Sequence, residues 1–356
     1  MAKCWKRTVS AAACILLAVG CSSIGAKTIP ADQFNYAEAL RDSWKEQMLL
    51  NMVGLRYAEA PLFLKVTSVI NQYSLEGRVS VAAPPYKEQA AALPPVGAGG
   101  SYADRPTITY IPLTGADFTR SVMTPIPPAS IMSLIQAGWR ADLLIRLAVR
   151  SINGVGSSEV VGALNEQSKF YEMVLLFQKL QSSGGLSFRV EDRGSEGVAI
   201  LVIRSTTSKE VRLNRQRLAE ILNLDPGLKE YRLVFAQQAA GGDEIAMVSR
   251  SILEMLVDLA MWVDVPPEHV TSGRTRASPS TEILHDYGFK PLIHVHSSAE
   301  KPEEAFVMVR YDDRWFWIED TDFASKRTLG FMQLMFSLAE SGGAQTAPVV
   351  TVQAGN

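Results

Sequence analysis

All three cysteines of this chain, Cys4, Cys14 and Cys21, stand within its first 21 residues. Whatever folds beyond Cys21 must therefore be held by burial and not by disulfides. The segment that carries the cysteines has an order of its own. Lys3, Lys6 and Arg7 give a cationic start, Ala11 to Val19 an apolar run, and Gly20 and Cys21 a small-residue close. The run is shorter than the ~20 residues a membrane-crossing helix needs. Residues 1–20 thus read as a secretory signal peptide. Its removal takes away three cations and no acid, so the net charge moves from −2 to −5. A mildly acidic, exported chain carries no electrostatic footprint for nucleic acid and is expected to meet no nucleotide.

The ending Leu17-Ala18-Val19-Gly20-Cys21 resembles the lipobox of bacterial lipoproteins, with Ala18 where that family prefers Leu. The resemblance implies a diacylglycerol on the Cys21 thiol, cleavage just before it, and acylation of the new amine. Two or more acyl chains give stable anchoring. The covalent lipid on Cys21 is then the one non-protein group expected, with no separate cofactor. Ser22 stands where an Asp would imply retention at the inner membrane, so the resemblance implies an outer-membrane lipoprotein facing the periplasm. Residues 21–34 are mostly small and polar and read as a tether. At ~3.3–3.6 Å per residue the tether reaches at most ~50 Å, which keeps the folded part near the bilayer. The expected partners are the membrane, through the lipid, and a protein of the envelope.

Periodicity gives an α+β chain, with mixed or mostly antiparallel strands, interleaved helices and two packed subdomains. An N-terminal region over 35–160 starts with an amphipathic helix from Tyr36 to Arg56. Extended chain follows from Pro61 to Ala82, then a Pro/Ala/Gly-rich loop over 83–104. Thr107 to Ile111 reads as a strand, Gly115 to Met123 as a short helix, and Pro127-Pro128 opens a helix to Ala137. Leu143, Ile145, Leu147 and Val149 alternate with Leu144, Arg146, Ala148 and Arg150. That period of two predicts a strand, with a helix continuing from Ala141 as the alternative.

The C-terminal domain over 161–356 opens with a helix from Ser168 to Gln181, stopped at Gly184. A hairpin pairs Leu186–Glu191 with Val198–Ile203. A helix from Lys209 to Leu222, a strand from Tyr231 to Phe235 and a helix from Ser249 to Val263 come next. Leu292 to His296 reads as a strand. A second hairpin joins Ala305–Tyr311 to Arg314–Glu319 across Asp312-Asp313. A helix from Thr328 to Glu340 and a strand from Val349 to Val352 close the chain.

Several motifs carry possible chemistry. Gly241-Gly242-Asp243-Glu244 resembles the GGDEF motif of diguanylate cyclases, but that family's upstream metal-binding strand is missing. The segment reads as a tight turn with its acids near the start of a helix or strand. Ser298-x-x-Lys301 has the spacing of penicillin-binding proteins without their Lys-Thr-Gly. His294-Val295-His296 places two imidazoles on one strand face, about 6–7 Å apart, and such a pair binds zinc when a third ligand converges. It resembles the His-x-His of lysostaphin-type peptidoglycan peptidases. That family's upstream His followed by Asp is absent, which leaves His285 or Asp286 as candidates to converge in space.

Trp315, Trp317 and Glu319 share one strand face, with Phe316 and Ile318 on the other, so the strand is expected to be buried between layers. The functional alternative is an aromatic binding platform at Trp315 and Trp317. Asp322 is expected to cap the helix that follows. Lys209, Arg212, Arg215 and Arg217 give one helix a basic, solvated side. The leading expectation is a membrane-anchored, non-enzymatic binding or scaffold component of the envelope. The alternative is a zinc-dependent cell-wall hydrolase using His294 and His296.

Overall fold

A computed structural model describes residues 29–70, 73–81, 96–104, 107–156, 164–193, 196–203 and 208–340. The signal segment, Cys21, and the strand expected at Val349–Val352 lie outside them. The architecture is α+β: helices interleave with a mixed six-stranded sheet, an antiparallel three-stranded sheet and two antiparallel two-stranded ladders. Two compact units divide the chain. The larger takes the described residues up to Pro61 together with Pro125–Gln333; the smaller takes Leu62–Thr124 and the described residues from Leu334 onward.

In the larger unit, helix α1 spans Ile29–Arg56. It starts earlier than its apolar stripe predicts and takes in the end of the stretch expected as a tether. Helices α3 (Pro128–Gln136), α4 (Ala141–Ala148) and α5 (Leu164–Ser182) lie around the six-stranded sheet. Its order is β6 (Val155–Gly156), β5 (Val149–Ile152), β10 (Glu244–Ser249), β9 (Glu230–Phe235), β8 (Glu196–Ile203) and β7 (Leu186–Arg193). The sheet therefore draws strands from both sides of residue 160. Only β9 and β10 run parallel; the other pairs are antiparallel. The hairpin expected at 186–203 forms as β7 and β8.

The strand expected over 143–150 is a helix instead. Leu143, Leu144, Ile145, Leu147 and Ala148 are all buried, so α4 is covered on most of its circumference. The apparent alternation came from Arg146 and Arg150 in a nearly continuous apolar run. Such a run fits a buried helix as well as a strand. Helix α6 (Lys209–Leu222) is capped by Ser208 at its start and by Asn223 in the left-handed region at its end. Helix α7 (Ile252–Ala260) is shorter than predicted. Ser251 and Glu254 form a reciprocal capping box that fixes its first turn, which leaves Ser249 to β10.

After α7 come two short helices, α8 (Pro267–Thr271) and α9 (Glu282–Asp286). The three-stranded sheet follows, in the order β11 (His296–Ser298), β13 (Arg314–Ile318), β12 (Val307–Tyr311). The β12–β13 hairpin turns at Asp312, whose φ of 51° suits a tight hairpin turn. Helix α10 (Phe323–Glu340) is capped at its start by Asp322, which accepts from the amides of Ala324 and Ser325 at 3.1 Å. The cap matches the expectation; the helix begins a turn earlier than predicted.

In the smaller unit β1 (Leu64–Ile70) pairs with β4 (Thr107–Pro112), and β2 (Tyr73–Val81) with β3 (Val96–Asp104). The end of the stretch expected as a loop over 83–104 is thus a strand. Its glycines and alanines leave no hydrophobic period to read, although the backbone ladder is regular. A short helix α2 (Gly115–Phe118) runs into a π turn at Thr119–Met123. Phe63 is buried between Phe118 and Phe336. Among the described residues no helix is long and apolar enough to cross a membrane.

The core of the larger unit contains a charged strut. Arg250 is buried and donates to the carbonyls of Arg146 (2.8 Å) and Leu147 (3.2 Å), and pairs with Asp258 at 3.2 Å. Burial pushes the Asp258 carboxyl up from its ordinary pKa, against the pull of Arg250 and Arg146. Removing Arg250 leaves Asp258 with only the weaker pull of Arg146 and takes the donor from two carbonyls. Arg250→Ala is expected to cost about 3 kcal/mol, read as a lower urea midpoint at unchanged slope.

Candidate functional site

Val263 and Val295 are both fully buried and meet in a single parallel β-bridge. The Asp264 amide donates to the Val295 carbonyl at 2.8 Å, and the Val295 amide to the Trp262 carbonyl at 3.2 Å. In extended chain, successive side chains face opposite ways. With both valines inward, Asp264, His294 and His296 are turned outward onto one face. Their donor atoms all lie within 4.8 Å of one another. His294 Nε2 is 3.0 Å from Asp264 Oδ2, and His296 Nδ1 is 3.8 Å from the same oxygen. The far nitrogen of His296, Nε2, lies 3.6 Å from Glu319 Oε1. Side-chain exposure is 49% for His294, 26% for His296 and 51% for Asp264, so the face is open to solvent.

Both segments of this bridge are clamped from behind. The His294 amide donates to Ser325 Oγ at 2.9 Å, and Ser325 Oγ donates in turn to Asp322. Thr328 Oγ1 donates to the Leu292 carbonyl at 2.6 Å. On the other side, buried Arg56 donates through Nε to the Val263 carbonyl (3.3 Å) and through its terminal nitrogen to the Arg276 carbonyl (2.8 Å) and Ser278 Oγ (3.1 Å). Thr275 Oγ1 returns a bond to the Arg56 carbonyl at 2.5 Å. Burial lowers the Arg56 pKa, while Tyr57 and Asp264 oppose that shift.

β11 and β13 place an aromatic surface beside the histidines. His296 sits opposite Trp317 and Ser298 opposite Trp315. The His296 ring stacks on Trp317 with centroids 5.4 Å apart, and Lys301 Nζ lies 5.3 Å from the Trp315 ring. Phe316 and Ile318 are buried, but Trp315 and Trp317 are half-buried on the other face. β13 is therefore not enclosed between two layers, as the sequence predicted. One of its faces is core and the other is a partly open tryptophan surface.

No family model, curated protein or solved structure matches this chain.

The remaining sequence candidates fall elsewhere. His285 lies exposed on α9 and does not join the Asp264, His294 and His296 group, and Asp286 follows it on the same helix. The remaining histidine of the chain's four, His269, takes Tyr57 on Nδ1 at 2.9 Å and Arg274 on Nε2 at 3.2 Å, so both its nitrogens are engaged. Ser298 donates to the Glu300 carbonyl in a turn. Gly241 to Glu244 form a turn leading into β10, and Asp243 and Glu244 both pair with Arg232. On α6, Arg217 pairs with Glu172 at 2.6 Å across an open groove of about 480 Å³ and Arg215 donates to backbone carbonyls, so the basic side is partly consumed within the fold.

Asp264 was missed as a partner of the histidine pair. Its signal was the polar–apolar alternation around Val263 and Val265 just before Pro266-Pro267, the same pattern that His294-Val295-His296 shows. Only the long-range bridge joins the two. Three donors converging on one solvent-open point can hold a divalent cation, or act as a carboxylate that orients an imidazole. Arg56→Ala leaves Val263, Arg276 and Ser278 without their donor. It is expected to cost about 3 kcal/mol. Hydrogen exchange at the Asp264 and Val295 amides should rise well above any change within α6.

Proposed function

We propose that this chain is a lipid-anchored, non-enzymatic binding component of the bacterial cell envelope, held at the periplasmic face of the outer membrane through acyl chains on Cys21. The observation that carries the reading is the order of Lys3, Lys6 and Arg7, the apolar run Ala11 to Val19, and Gly20-Cys21-Ser22. The binding role draws support from the smaller unit. β4 is exposed along its whole length, with Ile108, Tyr110 and Ile111 open to solvent, and Leu64 of β1 lies exposed beside it. A two-stranded ladder is marginal by itself, and an exposed apolar strand edge is a ready template for a partner chain. The partner in this reading is an envelope protein, with neither nucleic acid nor nucleotide involved.

A second reading, a zinc-dependent cell-wall hydrolase using His294 and His296, is favoured by one observation: Asp264 supplies a third donor beside the pair. Hydrolysis of purified peptidoglycan by the full chain, lost in His296→Ala, would select it over the binding reading.

The anchor is tested directly. Native protein should fractionate with the outer membrane, and its N-terminal peptide should carry the added mass of acyl chains on Cys21. Cys21→Ala should leave the protein in the soluble periplasmic fraction. An unmodified N-terminus on the native protein would overturn the reading.

A further inference from the structure

We propose that Asp264, His294 and His296 form a zinc site, with two imidazole nitrogens and one carboxylate oxygen as ligands and Glu319 as the partner that orients His296. The inference does not depend on the anchor or on any hydrolytic activity.

Zinc binds His nitrogen at about 2.0–2.1 Å and carboxylate oxygen at about 2.0–2.2 Å, so ligand atoms around a tetrahedral ion lie roughly 3.3 Å apart. Here His294 Nε2 and His296 Nδ1 stand 3.0 and 3.8 Å from one Asp264 oxygen. Shifts of a few tenths of an ångström bring both separations to the zinc value. The 3.8 Å spacing is too long for a hydrogen bond. His296 Nδ1 therefore makes no hydrogen bond to that carboxylate, and a cation between the two atoms would bridge the gap. The rings are held side by side with centroids 4.1 Å apart.

Glu319 supplies the outer contact. When Nδ1 of a histidine binds metal, the other nitrogen carries the proton, and a carboxylate there fixes the tautomer and ring orientation. Glu319 Oε1 lies 3.6 Å from His296 Nε2, an ion-pair distance just beyond a hydrogen bond, so the same few tenths of an ångström that close the ligand set separate it from the orienting contact. The stacked Trp317 limits rotation of the same ring. All three ligands stand on backbone that is buried or clamped, which is how a rigid scaffold preorganises a metal site. Three protein ligands on an open face leave the fourth position for water or a Lewis-basic group of a partner, the arrangement of zinc sites that exchange ligands. Two neutral imidazoles and one carboxylate leave a net positive centre, which suits a carboxylate or phosphate group there.

The test uses the full-length chain, untagged and in detergent, stripped with a chelator and dialysed. Isothermal titration with zinc should give one ion per chain, and cobalt should give the visible absorption of a four-coordinate ion. His294→Ala, His296→Ala and Asp264→Asn should each weaken zinc binding by about 100-fold or more, and Glu319→Gln by roughly 10-fold. His285→Ala should leave it unchanged. Zinc should raise the melting temperature of the unaltered chain and not that of Asp264→Asn, a near-isosteric change at a half-exposed position that keeps the fold. Absence of stoichiometric zinc in the unaltered chain, or binding that survives loss of both His294 and Asp264, overturns the proposal. Zinc binding without peptidoglycan hydrolysis supports the site and removes the hydrolase reading.

Discussion

One parallel β-bridge, between Val263 and Val295, decides what this protein's surface presents. Two backbone hydrogen bonds make it. At roughly 1 kcal/mol net each, they do not hold two distant segments together by themselves. Burial does the rest. Both valine side chains are fully removed from water, each worth about 1.5–3 kcal/mol. Arg56 ties the Val263 carbonyl to the end of α1, and Ser325 and Thr328 tie the chain at Leu292 and His294 to the first turns of α10. These ties and the buried valines fix the register, since a one-residue slip would turn the polar side chains from the open face into the core. The juxtaposition of Asp264 with the histidines is therefore a property of packing across the larger unit.

That dependence explains how much was legible beforehand. α7 was readable because Ile252, Met255, Leu256, Leu259 and Ala260 repeat at helical spacing and all are buried. The hairpins of β7–β8 and β12–β13 were readable because turn residues separate β-rich runs. α4 was misread because its apolar residues sit at nearly every position, and periodicity cannot choose between helix and strand when both faces are buried. β3 was invisible because a ladder rich in glycine has backbone pairing and almost no side-chain pattern. β10 was missed for the same reason as α4: Ile245, Ala246 and Met247 are buried in succession. In the site, the histidine pair was legible as local spacing. Asp264 was not, because no local rule links positions 264 and 294.

β13 shows how one strand serves both core and surface. Phe316 and Ile318 supply its buried face, while Trp315 and Trp317 supply the other. Reading two apolar faces as two buried faces overlooked what tryptophan does. Its large ring is rarely fully buried and suits a surface that is part wet and part apolar. Here the open side of that ring surface lies against His296 and Lys301. The apolar composition of β13 thus belongs to the site as much as to the core.

The Gly241-Gly242-Asp243-Glu244 turn makes the same point from the other direction. β9 and β10 are adjacent and parallel, and parallel neighbours ordinarily need a crossover of a dozen or more residues. Residues 236–243 make the return as a tight loop in place of a helix. The loop has to lie close against the chain at Asp225, whose amide donates to the Gly242 carbonyl at 3.0 Å. A Cβ on Gly242 would stand 3.1 Å from that amide nitrogen, so a side chain there forces the loop outward. Glu244 then accepts from the Ala240 amide at 3.0 Å and pairs at 2.6 Å with Arg232, its register partner on β9. Each letter of the motif is accounted for by the geometry of returning a strand in too few residues. Gly242 permits close backbone approach, Gly241 leaves room for the Asp243 carboxylate, and the acids satisfy an amide and a cross-strand cation. The likeness to a nucleotide-binding turn follows from a shared backbone problem, since phosphate and a neighbouring loop both demand approach without a side chain in the way.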